Sequence, residues 1–473
     1  MNLPIDIFID NAFQPAIKRL AQINPATEEA FAEIGAASVD QVDRAVVSAD
    51  KAWRQTWRDL SPGKRTEILF KIAAAIRANL EQLAQWETAT IGKPIADSRD
   101  EIALGARIFE YYAGAITKFF GQTIPVSRGG LDFTLRQSMG AVAAIVPWNF
   151  PFPIACWKVA PALAAGNTVV LKPASLSPCT ALALGQLAAE AGLPAGALQV
   201  LPGSGQAMGD ALVTHPLIRK ISFTGSTSVG SRIMSLASKD IKRVSLELGG
   251  KSPNIVFADA DVEKAARMSP MSVFANTGQD CCARSRVFVE ASVYDRFVEV
   301  FTETTREIKV GDPTRDETQV GPMVSLQQRK SVEDYIESAR TSGRKIVGGD
   351  RPQPKGAYIS PTIILEPDLQ ERVWREEIFG PVACIRRFTD EAQMIEEVNA
   401  SPYGLSGSIW TNNLSRAIRV ARQIESGVLS INTHSSVHVE APFGGYKQSG
   451  LGRDLGMNAL EGFTEVKNVY IAE

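Results

Sequence analysis

The stretch Asn276-Thr277-Gly278-Gln279-Asp280-Cys281-Cys282-Ala283-Arg284-Ser285-Arg286 sets two adjacent cysteines after a Gly-Gln pair and ahead of two arginines. A thiol beside positive charge ionises more readily and attacks carbonyl carbon well, so this is a candidate nucleophile. The competing reading is two small buried residues, the usual fate of a free cysteine. Glu247 lies between two leucines in Val244-Ser245-Leu246-Glu247-Leu248-Gly249-Gly250-Lys251. A carboxylate in apolar surroundings has a raised pKa and suits general-base work near neutrality, unless Lys251 simply pairs with it. Asn149 stands in Pro147-Trp148-Asn149-Phe150-Pro151, where a rigid amide donor between prolines could serve an oxyanion. Phe223-Thr224-Gly225-Ser226-Thr227-Ser228-Val229-Gly230 reads as strand, glycine, helix N-terminus. Free N–H groups there suit a pyrophosphate, and Gly225 lets it approach the backbone. The stretch Gly203-Ser204-Gly205-Gln206-Ala207-Met208-Gly209 misses the G-x-G-x-x-G spacing by one residue and is read as a loop. Lys172 closes a strand where a ribose or its phosphate sits in a dinucleotide fold.

These residues need elements to hold them. Short apolar runs over 141–146, 168–171, 198–201, 220–223 and 243–246 alternate with helical stretches over 154–165, 179–191, 206–213 and 228–236. That alternation predicts an α/β fold with a Rossmann-like parallel sheet of right-handed βαβ units. A second alternation over 254–257, 287–289, 382–388, 407–410 and 427–431 predicts a second α/β domain from residue 249. Ahead of both, β-like pieces over 7–9 and 21–24 precede a helical layer. Ser38 with Gln41 forms a capping box for a helix running to Trp57, and Ser61-Pro62 starts the next. Residues 121–140 and the strand-like 464–471 read as a small β oligomerisation arm, both segments pairing outside their own domain. The division assigns 1–120 and 141–248 to a cofactor-binding domain, 249–448 to a catalytic domain, and 121–140 with 449–473 to the arm and C-terminal tail.

A chain of 473 residues accommodates two or three domains. Its net charge of -2 gives no electrostatic argument for nucleic acid or an acidic membrane. No secretory signal opens the chain, and its apolar stretches have strand length, so no membrane association is expected. Cys156, Cys179, Cys281, Cys282 and Cys384 lack metal-ligand spacing and fit free thiols in a reducing cytoplasm. His215, His434 and His438 do not join them, so no metal is expected.

The motifs together resemble the aldehyde dehydrogenase superfamily, of the hydrolytic, nonphosphorylating kind. The resemblance covers essentially the whole chain. It is carried in order by Pro147 to Pro151, Leu171-Lys172-Pro173, Phe223 to Thr227, Leu246 to Lys251, Gly278-Gln279-Asp280-Cys281, Glu376-Glu377-Ile378-Phe379-Gly380-Pro381 and Pro442-Phe443-Gly444-Gly445. It implies that Cys281, two residues after Gln279, attacks the aldehyde to give a thiohemiacetal and then a thioester. Asn149 and the Cys281 N–H hold the oxyanion, and Glu247 activates the water that releases the acid. Cys282 becomes a neighbour. Lys158 and Glu461 resemble positions that assist proton movement.

By the same resemblance, Trp148, Lys172, Ser175, Gly225, Ser226, Glu377 and Phe379 contact the coenzyme. Many NAD-preferring members carry Glu where this chain has Ser175. A carboxylate repels a 2′-phosphate, whereas serine beside Lys172 can donate to it, so NADP is expected to be accepted alongside NAD, up to a preference for it. Phe150, Trp157 and Phe443 match aromatic funnel positions and imply an apolar or aromatic aldehyde. Ala275 and Val437 imply a roomier pocket. Trp157 replaces the arginine of succinate-semialdehyde enzymes, which argues against a carboxylate-tipped substrate. A CoA-acylating relative usually lacks the glutamate, so Glu247 argues against that rival. Intact Cys281, Glu247 and Asn149 argue against a noncatalytic binding or structural member. A cysteine hydrolase would need a base histidine that the sequence does not offer. A homodimer or homotetramer is the expected assembly.

Overall fold

The computed structural model describes residues 2–203, 206–435 and 437–472. Strands Leu198–Val200, Thr168–Lys172, Ala141–Ile145, Ile218–Thr224 and Arg243–Glu247 lie side by side in that order, all parallel. Helices cover the sheet, and Ala141–Ile145 is buried at every residue, which is why it is apolar throughout rather than alternating. Ile7–Ile9 and Ala12–Gln14 extend one edge antiparallel, and Gly450–Leu451 closes the other. From Ala141–Ile145 the chain moves outward through Thr168–Lys172 and Leu198–Val200, then crosses back to Ile218–Thr224 on the other side. The carboxyl ends of Ala141–Ile145 and Ile218–Thr224 therefore flank a topological switch point, the crevice where open α/β sheets take ligands. Asn149 follows one of these ends and Gly225-Ser226 the other.

The helical layer starts as its caps dictate. In Val39–Ala52, Ser38 Oγ accepts from the Gln41 N–H at 3.2 Å while Gln41 Oε1 accepts from the Ser38 N–H at 2.9 Å. The helix expected to reach Trp57 widens after Ala52 into a π turn over Trp53–Trp57, which seats Trp57 fully in the core. Pro62–Ala78, Leu80–Ile91 and Ile95–Ala115 follow. The helix Pro151–Ala164 packs against Ile95–Ala115 and is buried on all sides, as its nearly all-apolar sequence requires. Gln206–Thr214 is helical from within the stretch read as a loop, whose Ser204 and Gly205 lie outside the described residues.

The second sheet has the order Lys345–Gly348, Thr362–Leu365, Val382–Phe388, Arg286–Glu290, Pro253–Val256, Ser406–Trp410, Val428–Ile431, parallel except for its first strand. The arm segments find each other within one chain. Thr464–Ile471 pairs antiparallel with Leu131–Ser138 along its whole length, and Thr123–Ile124 adds a third strand.

Candidate active site

The loop before Cys281 is built under strain. Asn276, Thr277 and Gly278 have φ of 49°, 57° and 68°, three successive left-handed residues of which only glycine tolerates the conformation readily. Side chains hold it. Thr277 Oγ1 donates to the Gly321 carbonyl at 3.0 Å, and Asn276 Nδ2 donates to the Asn149 carbonyl at 2.9 Å and to that of Gln279 at 3.2 Å. Gln279 donates back to the Asn276 carbonyl at 3.1 Å and accepts from the Val324 N–H at 2.9 Å. A Cβ on Gly278 would fall 2.1 Å from the Gly380 carbonyl oxygen. The loop delivers Cys281, half-buried, to the meeting point of two cavities.

Its thiol pKa is pushed well up, first by a hydrogen bond with the Cys282 side chain, then by burial and the negative charge of Glu247 and Asp280. The group rests as a thiol, whose proton must go to a base before the sulfur can attack. The two arginines do not supply the activation: Arg284 donates to the Cys282 carbonyl and to Ser408 Oγ, and Arg286 to the carbonyls of Lys251 and Val398. Glu247, 3% exposed at the carboxyl end of Arg243–Glu247, lines both cavities with Cys281. Neither of its oxygens has a well-formed hydrogen bond, and the Lys251 ammonium has none either, so the two are not a simple ion pair. Burial pushes the Glu247 pKa up to about 8, against the opposing pull of Lys158 and the Cys281 thiol. Such a carboxyl takes and returns a proton near neutrality. Asn149 is buried, its Nδ2 donating to the Gln279 carbonyl at 3.0 Å. One amide hydrogen is thereby fixed, leaving the second for an oxyanion.

The first cavity, about 240 Å³, lies at the switch point and gathers Trp148, Gly225, Ser226, Glu377 and Phe379 around Cys281 and Glu247. Ser226 caps no N–H of helix Thr227–Ala237, so the first-turn donors face outward for an anion. Glu377 Oε1 accepts from the Gly250 N–H at 3.0 Å, and desolvation pushes its half-buried carboxyl up to about 7. A Cβ on Gly249 would fall 2.1 Å from Glu377 Oε2, so the glycine is what admits that carboxylate. Phe379, at φ 55°, meets Trp148 edge-on with centroids 5.3 Å apart. Free helix donors, a bare glycine and an acid for ribose hydroxyls fit a dinucleotide. Lys172 and Ser175 do not line this cavity. Lys172 pairs beside Ile145 at the sheet's carboxyl edge, and burial lowers its pKa. The second cavity, about 300 Å³, gathers Phe150, Trp157 and Phe443, the last two edge to face at 5.2 Å. Val437 lines it too.

With this geometry, comparison with known proteins is decisive. The profile of the aldehyde dehydrogenase family matches residues 13–469. The chain belongs to that family. An aldehyde dehydrogenase from Enchytraeus buchholzi is 43% identical over 472 residues, covering 98% of this chain and 95% of that protein. The indole-3-acetaldehyde dehydrogenase of P. syringae, solved with NAD+ and IAA, superposes with TM-score 0.98 at 40% identity, covering 100% of this chain and 97% of that one. The NAD+ complex of a Bacillus cereus aldehyde dehydrogenase gives TM-score 0.97 at 40% identity, covering 99% and 96%. This aldehyde dehydrogenase is accordingly an oxidoreductase that converts an aldehyde to a carboxylic acid through a catalytic cysteine.

Two parts of the dehydrogenase's site were not legible in the sequence. Lys158 meets Asp454, not Glu461: its Nζ donates to Asp454 Oδ2 at 3.0 Å and Ser222 Oγ at 3.1 Å, all buried. Glu461 is exposed and accepts from Asn458 at 3.3 Å. The antiparallel return of Gly450–Leu451 beside Arg243–Glu247 brings Asp454 inward. Lys93 was missed altogether. It is fully buried, donates to the Asn149 carbonyl at 2.9 Å, pairs with Glu101 and sits 4.1 Å above the Phe150 ring. Its charge also opposes the raised pKa values of Glu87, Asp97 and Asp280. A Gly-Lys-Pro turn after a helix was the available signal.

Proposed function

We propose that Cys281 is the nucleophile, Glu247 its base and Asn149 its oxyanion donor. The observation that carries this is that, among the described residues, Cys281 and Glu247 alone line both cavities. The Cys281 proton passes to Glu247 as sulfur adds to the aldehyde carbon, and the carbonyl electron pair moves to oxygen. Asn149 Nδ2 and the Cys281 N–H steady that oxyanion. Trp148, Gly225, Ser226, Glu377 and Phe379 would hold a nicotinamide coenzyme, which would supply the acceptor for the hydride that leaves the aldehyde carbon as the oxyanion re-forms its carbonyl and gives the Cys281 thioester. Glu247 gives the thiol proton up to solvent, then takes a proton from water as the water oxygen attacks the thioester, and Cys281 leaves as thiolate while the acid departs.

Similarity to proteins solved with NAD+ supports NAD+ as a coenzyme. Lys172 and Ser175, which bring no carboxylate to the adenosine ribose, support acceptance of NADP+ as well. The aromatic walls Phe150, Trp157 and Phe443, and the likeness to an indole-3-acetaldehyde dehydrogenase, support an apolar or aromatic aldehyde. The assembly is a homodimer or homotetramer built on the arm, the location is cytoplasmic, and the domains divide at residues 120, 140, 248 and 448. The test is an aldehyde panel with NAD+ and NADP+ separately, on wild type and Cys281→Ala. Reduced coenzyme forms fastest with arylalkyl aldehydes and with either coenzyme, and Cys281→Ala abolishes it while still binding coenzyme. A kcat/KM for NADP+ far below that for NAD+ removes the coenzyme claim, and unchanged turnover by Cys281→Ala removes the nucleophile.

A further inference from the structure

We propose that Asp280, Cys281, Cys282 and Glu247 form a site for a thiophilic divalent cation of the Zn2+ or Cd2+ class, whose binding reversibly blocks turnover. The two sulfurs and a carboxylate oxygen of Asp280 all lie within 4.8 Å of one another. Around an ion with metal–sulfur bonds of about 2.3 Å, tetrahedral ligand atoms stand roughly 3.5–4 Å apart, so modest side-chain rotation closes the set. Asp280 Oδ1 accepts from the Cys282 N–H at 2.8 Å, which orients the carboxylate and leaves its other oxygen for an ion. Glu247 stands outside that close set and would be drawn in as the fourth donor. It lines the same cavity as the other three, is 3% exposed, and has both oxygens without a hydrogen-bond partner. A buried carboxyl without a charged partner keeps its proton, and a bound cation can take that proton's place.

Two sulfurs and two oxygens suit a borderline-soft ion rather than Mg2+ or Ca2+. Spacing rules pass over adjacent cysteines because they look for ligands two residues apart, yet here both side chains line one cavity. Arg284 also lines it, but two thiolates and two carboxylates outweigh its charge, and its bond to the Cys282 carbonyl at 2.9 Å fixes the backbone between the sulfurs and the cavity wall. Binding is acid–base chemistry without electron transfer: each thiol and the Glu247 carboxyl release their protons to solvent as their bonds to the metal form, and chelation returns them. The ligand set stands independently of the proposed mechanism, and only the block on turnover rests on Cys281 being the nucleophile.

The full chain, stripped with chelator, is titrated with cadmium chloride alone while thiolate-to-cadmium absorption and aldehyde oxidation are followed on the same samples. The band and the inhibition should develop together, and chelator should reverse both. Cys282→Ser should keep its turnover and need about tenfold or more cadmium for half-inhibition, with Asp280→Asn shifted the same way. Equal sensitivity of Cys282→Ser and wild type overturns the site, as does inhibition that chelator cannot reverse. A full-strength band with undiminished turnover overturns the block and, with it, Cys281 as nucleophile, while the ion site remains.

Discussion

Glu247 carries its charge at a cost that the fold does not relieve. Its pKa near about 8, against an ordinary 4.5, means that the native state holds this proton more tightly than the unfolded chain. Stability therefore falls as pH rises across that window. Glu247→Gln should unfold at a higher temperature than wild type, by a margin that grows from about pH 5 to about pH 8, which scanning calorimetry would measure. Activity runs the other way. The protonated acid cannot accept a proton, so kcat should climb as pH rises through about 8 and then level off, a rise that Glu247→Gln abolishes. Equal pH profiles for the two proteins would remove Glu247 as base. Asn149→Ala tests the oxyanion donor: losing one preorganised donor should lower kcat by about 100- to 1000-fold with little change in coenzyme affinity.

At the scale of elements, the site depends on how two loops are clamped together. The Asn149 carbonyl accepts from both Lys93 and Asn276, so it joins the helical layer, the end of strand Ala141–Ile145 and the loop before Cys281. Lys93→Met keeps most of the volume and removes the charge. Losing the ammonium that both the Asn149 carbonyl and Glu101 accept from should cost about 1–3 kcal/mol in thermal unfolding. Steady-state kinetics should show kcat falling more than KM, because the displaced group is the proposed oxyanion donor and not a substrate wall. Much of this scale was legible in advance. The Ser38 capping box and the alternation over 141–247 lead to the observed helix and parallel strands because local propensity and burial agree there. What stayed hidden depends on long-range approach. Asp454 could not be told from Glu461 without knowing that Gly450–Leu451 returns to the sheet edge. Lys93 reads as an ordinary surface lysine until the layers close over it.

Across the whole molecule, Glu247 comes from the first sheet and Cys281 from a loop leading into the second, so the proposed chemistry lies where the two sheets' segments come together. The paired arm strands leave Leu131, Leu135, Val466 and Ile471 exposed, an apolar surface that suits another copy of the chain. Replacing Val466 and Leu135 with aspartate should lower the mass measured by sedimentation, and an unchanged mass would locate assembly elsewhere. The joining of the two units is tested most directly by peptide mass spectrometry of the wild-type protein quenched within its first turnover after mixing with aldehyde and NAD+. Reduced coenzyme should form in step with an acyl group on Cys281, and neither should form in Glu247→Gln, whose side chain cannot take the thiol proton. An acyl group on Cys282, or coenzyme reduced with no acyl group on either cysteine, would contradict the account.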